Sequence, residues 1–336
     1  KKRLIIDTDG VTDDVRAISI ALQHPEAEVV AITVVNGCVS AEQAAANVAR
    51  TLRANGITER IPIYKGSHSP LINNHDTSDE SFFFGKDGIG DQPAAFPEVL
   101  PSDFASWEEE TAATALIRLT SSDPDITLVC IGPLTNVALA LKLDHNFKQK
   151  PRQVVIMGGN YYGVGNVDSY SSAEFNFHCD PEAASIVLSE FEVPITIVPW
   201  EAFYIDGKKH EKEVDFHAHL SLDAPLASFL STASSIGRAE LAKAARQYVF
   251  CDEIAVSAAI EPSKVIQSTL MLRVSVELCG KLTRGQVVVD WMDHFWTSET
   301  NEKNVNRSRR PISFVTAYNV HYVNELVNKT VLSSKK

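Results

Sequence analysis

Apolar runs alternate with amphipathic stretches over roughly the first 200 residues, and the alternation predicts strand, helix, strand in regular succession. Strands are predicted at Leu4–Asp7, Glu28–Val35, Ile61–Tyr64, Ile126–Cys130, Gln153–Met157 and Ile195–Val198, each short and rich in β-branched residues. Helices are predicted between them near Asp13–Gln23, Ala41–Asn55, Thr111–Ser121, Leu134–Leu143 and Pro181–Ser189. This order implies an α/β fold with a mostly parallel central sheet flanked by helices, a Rossmann-like core. Further on, residues 207–260 read mainly as helix. Val274–Leu278, Gln286–Trp291 and Ile312–Thr316 read as antiparallel strands, and Asn319–Asn328 as a final helix. No repeat or linker divides the chain, so residues 1–336 are expected to form a single domain.

In a sheet of this kind the ligand site lies beyond the carboxyl ends of the strands. The segments Asp7–Asp14, Val35–Cys38, Ile131-Gly132-Pro133, Met157–Asn160 and Trp200 all follow strands, so all are expected to face one crevice. Two long irregular segments, Lys65–Asp103 and Gly158–Ser172, have the length of functional lids or of disordered loops. The first contains Ser81-Phe82-Phe83-Phe84-Gly85, three aromatics ahead of a glycine-rich turn.

Charge narrows the ligand. A formal net charge of −12 excludes a general nucleic-acid binder, which needs a basic footprint. No apolar run is long enough to span a bilayer, so no membrane role is expected. The five cysteines are scattered without CxxC spacing and read as reduced thiols of a cytoplasmic protein. A small or metal-chelated substrate fits this balance.

The chemistry concentrates in Leu4-Ile5-Ile6-Asp7-Thr8-Asp9-Gly10-Val11-Thr12-Asp13-Asp14, where four aspartates crowd one strand end. That much negative charge repels itself unless a cation neutralises it or protons are retained. A hard divalent cation held by carboxylate oxygens is the first expectation. The leading Asp-x-Asp-Gly also resembles the haloacid-dehalogenase-like phosphatases, in which Asp7 would be the nucleophile beside magnesium. Asp13-Asp14 is not part of that motif, and its later motifs are not evident.

The longer run Asp-Thr-Asp-Gly-Val-Thr-Asp-Asp is similar to the signature of the inosine–uridine-preferring nucleoside hydrolases. Further blocks follow in that family's order: Leu128 to Asn136, Ile156 to Asn160, Gly165-Asn166, Ala173 to Asn176, Asp180 to Ala183 and Lys281 to Gly285. The resemblance implies hydrolysis of a ribonucleoside to ribose and free base, as in purine and pyrimidine salvage. It implies a calcium ion that holds the attacking water and the ribose diol. It implies Asp9 as general base and calcium ligand, Asp14 and Asp252 as further ligands, and Ile131 as a ligand through its backbone carbonyl. Asp13, Asn166, Glu174 and Asn176 would bind ribose with Met157 packed beside it, and Asp7 would brace the loop. It also implies a homodimer or homotetramer. Taken singly, these residues read otherwise. Asp13, Asp14 or Asp252 would be a helix cap, Glu174 and Asn176 a solvated strand face, and Met157 core. Their joint order reverses those readings.

Three positions depart from the family pattern and point to a cysteine-containing branch. Cys38 stands where a ribose-binding Asn is common, and a thiol is a weak hydrogen-bonding group. Cys251 precedes Asp252 where a leaving-group His is usual, and Phe84 replaces another. General acid catalysis contributes ~10²–10⁴-fold, so the leaving base needs another source of help. Stacking on Phe83, Phe84, Trp200 or Trp291, or a proton from His75, would supply it; a catalytically degenerate ribose-binding homologue would need neither.

Overall fold

The structure, a computed structural model, describes residues 1–73, 79–107, 109–167, 171–297 and 309–334. Its centre is an eight-stranded sheet built from β1 (Lys2–Thr8), β2 (Ala27–Val34), β3 (Ile63–Lys65), β4 (Ile126–Cys130), β5 (Gln153–Met157), β6 (Ile195–Val198), β7 (Ile266–Leu272) and β10 (Ile312–Tyr318). The strands run in the order β3-β2-β1-β4-β5-β6-β10-β7. All neighbours are parallel except β10 and β7. The strand order reverses beside β1, so the crevice between the ends of β1 and β4 is the topological switch point where such sheets bind ligands.

The interior strands are buried on both faces and therefore read as continuous apolar runs. Alternate residues of β1 feed separate cores. Leu4 and Ile6 pack beneath the helices Thr12–Gln23, Ala41–Ala54, Asp252–Ile260 and Val320–Ser333. Ile5 packs beneath Ala112–Ser122, Thr135–Leu143 and Pro181–Glu190.

The carboxyl-terminal part differs from the expected run of antiparallel strands. Val274–Val276 (β8) and Val287–Val289 (β9) form a separate two-stranded ribbon, while β10 joins the main sheet parallel to β6. The sheet ends in β7, which the hydrophobic pattern did not reveal. It is an edge strand with Gln267, Ser268 and Thr269 exposed, so it lacks the apolar run of a buried strand. Within the 65–103 segment lie a short helix, Ser81–Phe84, and 3₁₀ turns at Pro93–Ala95 and Pro101–Trp107. His75 lies outside the described residues.

Candidate active site

The turn after β1 leads directly into the helix Thr12–Gln23, and Gly10 makes the turn possible. Its φ is +68°, and a Cβ there would sit 2.8 Å from the Ala44 backbone of the neighbouring helix. Asp14 closes the first helical turn. Its Oδ2 accepts from Val11 N at 3.3 Å, and its Oδ1 accepts from the Thr8 hydroxyl. Asp252 opens the helix Asp252–Ile260, which packs against Thr12–Gln23. Two helix N-termini thus bring positive partial charge to the acidic cluster, an arrangement that tempers the repulsion among the carboxylates.

Oxygens of Asp13, Asp14 and Asp252 lie within 4.8 Å of one another. Asp9 lines the same cavity, with its Oδ2 held by Cys38 N at 2.8 Å. The Cys38 backbone thus fixes a carboxylate, a role separate from the ribose contact considered for its thiol. Gly37 is packed against Asp9 so closely that a Cβ would fall 2.3 Å from Asp9 Oδ2.

In the same cavity Glu174 caps the helix Phe175–Cys179 and is almost fully buried, so it is not a solvated strand residue. Its carboxylate accepts from Gly159 N at 2.8 Å, Asn176 N at 2.9 Å and Phe177 N at 3.2 Å. The Asn176 amide donates to Ile131 O at 3.3 Å and Met157 O at 3.2 Å, tying together the ends of β4 and β5. Asn166 Oδ1 accepts from Phe175 N at 2.7 Å. Asn166, Glu174, Asn176, Ile131, Met157, Cys38 and Phe84 all line one cavity of about 220 Å³ with the aspartates. The ribose-binding and cation-binding residues implied by the resemblance thus all line one cavity.

Asp7 does not reach it. The side chain is fully buried behind the turn, with Oδ1 accepting from Thr33 Oγ1 at 2.5 Å and Asn136 Nδ2 at 2.8 Å. Asn136 in turn bonds Val34 O and Ser67 N, so Asp7 braces three segments, as the resemblance implied. A carboxylate so enclosed is badly placed for the nucleophile of a phosphatase. Trp291 is also away from the cavity, exposed and stacked on Tyr162 at 5.7 Å.

Several cavity residues escaped the sequence reading. Glu80 and Phe82 come from the 65–103 segment, Phe203 stacks on Trp200 at 4.2 Å, and Tyr248 arrives from the aromatic run before Asp252. Beneath them Arg16 and Glu253 form a buried ion pair. Arg16 Nη2 also donates to Val249 O at 3.3 Å, and Cys251 N donates to Glu253 Oε2 at 2.8 Å. The only sequence signal was an Arg inside an otherwise apolar helical stretch.

Burial raises the pKa values throughout the cluster. Asp13 is pushed up to about 7 by burial, then by the charges of Glu253 and Asp9. Burial, then Asp9 and Asp13, drives Asp14 well above the usual carboxylate range. Burial, then Asp13 and Asp14, does the same to Asp252. Asp9 is raised by burial against the opposing hydrogen bond from Cys38. Buried Asp13 Oδ1 has no hydrogen-bond partner. Hard oxygen donors, one of them orphaned, and a surplus of negative charge suit a divalent cation.

A pH dependence follows for the cation-free protein. A folded-state value near 7 at Asp13, against 3.8 unfolded, means that the folded form binds more protons between those limits. Its stability should therefore fall as pH rises from about 4 to about 7 and stay low above that. A cation replaces the protons, so calcium should raise Tm more at about pH 8 than at about pH 5. Equal shifts in differential scanning fluorimetry would place the ion elsewhere.

Comparison with known proteins agrees with this geometry. The family model described as "Inosine-uridine preferring nucleoside hydrolase" matches residues 4–320. A protein named probable uridine nucleosidase 2, from Arabidopsis thaliana, is 37% identical over 190 residues, 56% of this chain and 56% of that protein. The chain thus spans a little over half the length of that plant relative. The inosine-uridine preferring nucleoside hydrolase of Crithidia fasciculata is 33% identical over 299 residues, covering 86% of this chain and 88% of that one. A solved inosine-guanosine nucleoside hydrolase superposes with a TM-score of 0.81 at 30% identity, covering 98% of both chains. On its sequence blocks, its fold and these matches, the chain belongs to the inosine-uridine preferring nucleoside hydrolase family.

Proposed function

We propose that this protein is a calcium-dependent nucleoside N-ribohydrolase that converts a small-molecule ribonucleoside and water into ribose and free base. The observation that carries the reading is one cavity lined by two kinds of side chain. Carboxylates and amides reach it from the ends of β1, β4 and β5, and aromatic side chains line it with them. A hydroxyl-rich sugar suits the first set and a planar base the second. The activities named for the relatives support the same reading.

Asp14 and Asp252 belong both to the close trio and to the ligand set implied by the resemblance, so they would hold the cation. Asp9 and the Ile131 carbonyl would complete its shell. When bound, calcium supplies Lewis acidity toward water and the ribose hydroxyls. Asp9, oriented by Cys38 N, takes the proton of the attacking water. The partnerless oxygen of Asp13 is available to a ribose hydroxyl. Asn166 and Asn176 are fixed by backbone hydrogen bonds, which pre-orders them for the sugar. Positive charge developing on the ribose in an oxocarbenium-like transition state is stabilised by the surrounding carboxylates.

The test is a reducing-sugar assay over a nucleoside panel, with and without a calcium chelator. The expected result is sugar release that the chelator abolishes and added calcium restores. Ribose binding by calorimetry with no release from any nucleoside would replace the proposal with a binding-only homologue.

A further inference from the structure

An asparagine in the middle of an alanine-rich helix is a poor helix former, and its amide is costly to bury without partners. Asn47 stands in Ala44-Ala45-Ala46-Asn47-Val48-Ala49 of the helix Ala41–Ala54 and is fully buried. Both of its amide hydrogens are used. Nδ2 donates to Gly10 O and to Asp87 O, each at 2.8 Å, and Oδ1 accepts from Gln43 Nε2 at 3.0 Å. The two carbonyls belong to different parts of the site. Gly10 lies in the turn that carries Asp9, Asp13 and Asp14, whereas Asp87 follows Phe82, Phe83 and Phe84, which line the same cavity.

The stretch from Phe84 to Asp91 is closed on itself. Asp87 Oδ1 accepts from Ile89 N at 2.8 Å and Asp91 N at 2.9 Å, and Asp91 Oδ1 accepts from Asp87 N at 2.9 Å. Gly90 N donates to Phe84 O at 3.0 Å, so the aromatic residue is tied to this unit. Ile89 is fully buried with Val15, Leu226 and Phe229, which holds the unit down, but apolar contact has no direction. Direction comes from hydrogen bonds. The Thr12 hydroxyl has one hydrogen, and Ala233 O at 2.7 Å takes it ahead of Gly88 O at 3.2 Å. Asn47, with two hydrogens for two carbonyls, aligns the unit with the aspartate turn.

From these bonds we infer that Asn47 is a positioning residue: it sets the aromatic side chains of 82–84 against the aspartates, so that one ligand engages both. On the hydrolase reading above, that ligand is a ribonucleoside. Without the two donations the unit still packs through Ile89, but the aligned arrangement becomes one of several. Apparent affinity for a ligand that spans both sets then falls in proportion to the aligned fraction. A ligand that meets only the carboxylates and amides keeps its affinity. Gly88 allows the same disturbance from the other side. Its φ is +79°, and a Cβ there would lie 2.8 Å from Val11 Cγ1 and 2.9 Å from Val39 Cγ1. Gly88→Ala should therefore push the unit off the turn while Asn47 stays intact.

The experiment is titration calorimetry, with calcium present, on the unaltered protein, Asn47→Ala, Gly88→Ala and the double variant. The probes are ribose and two C-nucleosides, pseudouridine and formycin B, whose C1′–C bond gives water no leaving base. Binding is thus read without turnover. Ribose affinity should stay within about twofold in all four proteins, while either substitution weakens the tighter C-nucleoside about tenfold, the scale of one or two lost hydrogen bonds. The double variant should be little worse than either single one, because both act on one alignment. For a nucleoside that is cleaved, KM should rise by the same factor with kcat nearly unchanged. The inference is overturned if ribose and the C-nucleoside weaken equally, if neither weakens, if the two losses add, or if neither C-nucleoside binds the unaltered protein more tightly than ribose. Should Asn47→Ala fail to fold, Gly88→Ala decides by the same ratio of affinities. The expected binding pattern without sugar release from any nucleoside overturns the hydrolase reading and leaves the role of Asn47 standing.

Discussion

Asp9→Asn is expected to lower kcat for sugar release by about 10²–10⁴-fold, the contribution typical of a positioned general base. The substitution keeps the shape of the side chain and removes its ability to take a proton. Asp9 is 2% exposed and its Oδ2 is held by Cys38 N, so the amide remains in the same place. Circular dichroism and Tm should therefore change little, while turnover collapses. Asp7→Asn supplies the contrast. Asp7 is buried behind the turn and bonded to Thr33 and Asn136, so its replacement should disturb stability more than chemistry. If Asp7→Asn abolished turnover in a folded protein and Asp9→Asn spared it, the assignment of the base would be wrong, and a nucleophile at Asp7 would return to consideration.

The contrast also shows what could be read in the chain. Asp9, Asp13 and Asp14 were legible because they are adjacent and their spacing is imposed by one strand-to-helix turn. The interior strands were legible because burial on both faces demands unbroken apolar runs, as in Ile126–Cys130, where every residue is buried. β7 was not, since Gln267 to Met271 are all exposed and its polar residues break the apolar run. Glu174 misled for a different reason. Its alternation with Phe175 and Phe177 imitates a strand, and Glu is not a favoured N-cap. Only the convergence of three backbone N–H groups on its carboxylate, one of them from the loop after β5, makes it a cap. Trp291 was a plausible base platform by residue type, yet it lies on the exposed β8–β9 side against Tyr162. Glu80 and Tyr248 reach the cavity from segments far from the motif, and nothing local in the sequence marks them as lining it.

Arg16 and Glu253 lead to the largest expected loss of stability. Both are buried, on helices that pack against each other, and each has a further tie to the segment 248–253. The Arg16 guanidinium also lies 4.9 Å from the Tyr248 ring centroid and 5.2 Å from that of Phe250. Glu253→Ala leaves a buried guanidinium without its carboxylate and frees Cys251 N. The expected cost is about 3–5 kcal/mol, the range for breaking one side of a buried pair. Arg16→Met paired with Glu253→Leu removes both charges and fills the space with apolar atoms, and should recover most of that loss. Urea denaturation of the single and double variants measures the difference. Additive losses would show that the two residues act independently rather than as a pair. Because Asp252 and Tyr248 lie on the segment that this pair pins, Glu253→Ala should also weaken calcium binding, read by titration calorimetry in the folded variant. The double variant should restore stability more fully than calcium affinity, since Met and Leu fill the space but do not replace the bonds to Val249 O and Cys251 N. Equal recovery of both would mean that packing alone positions Asp252.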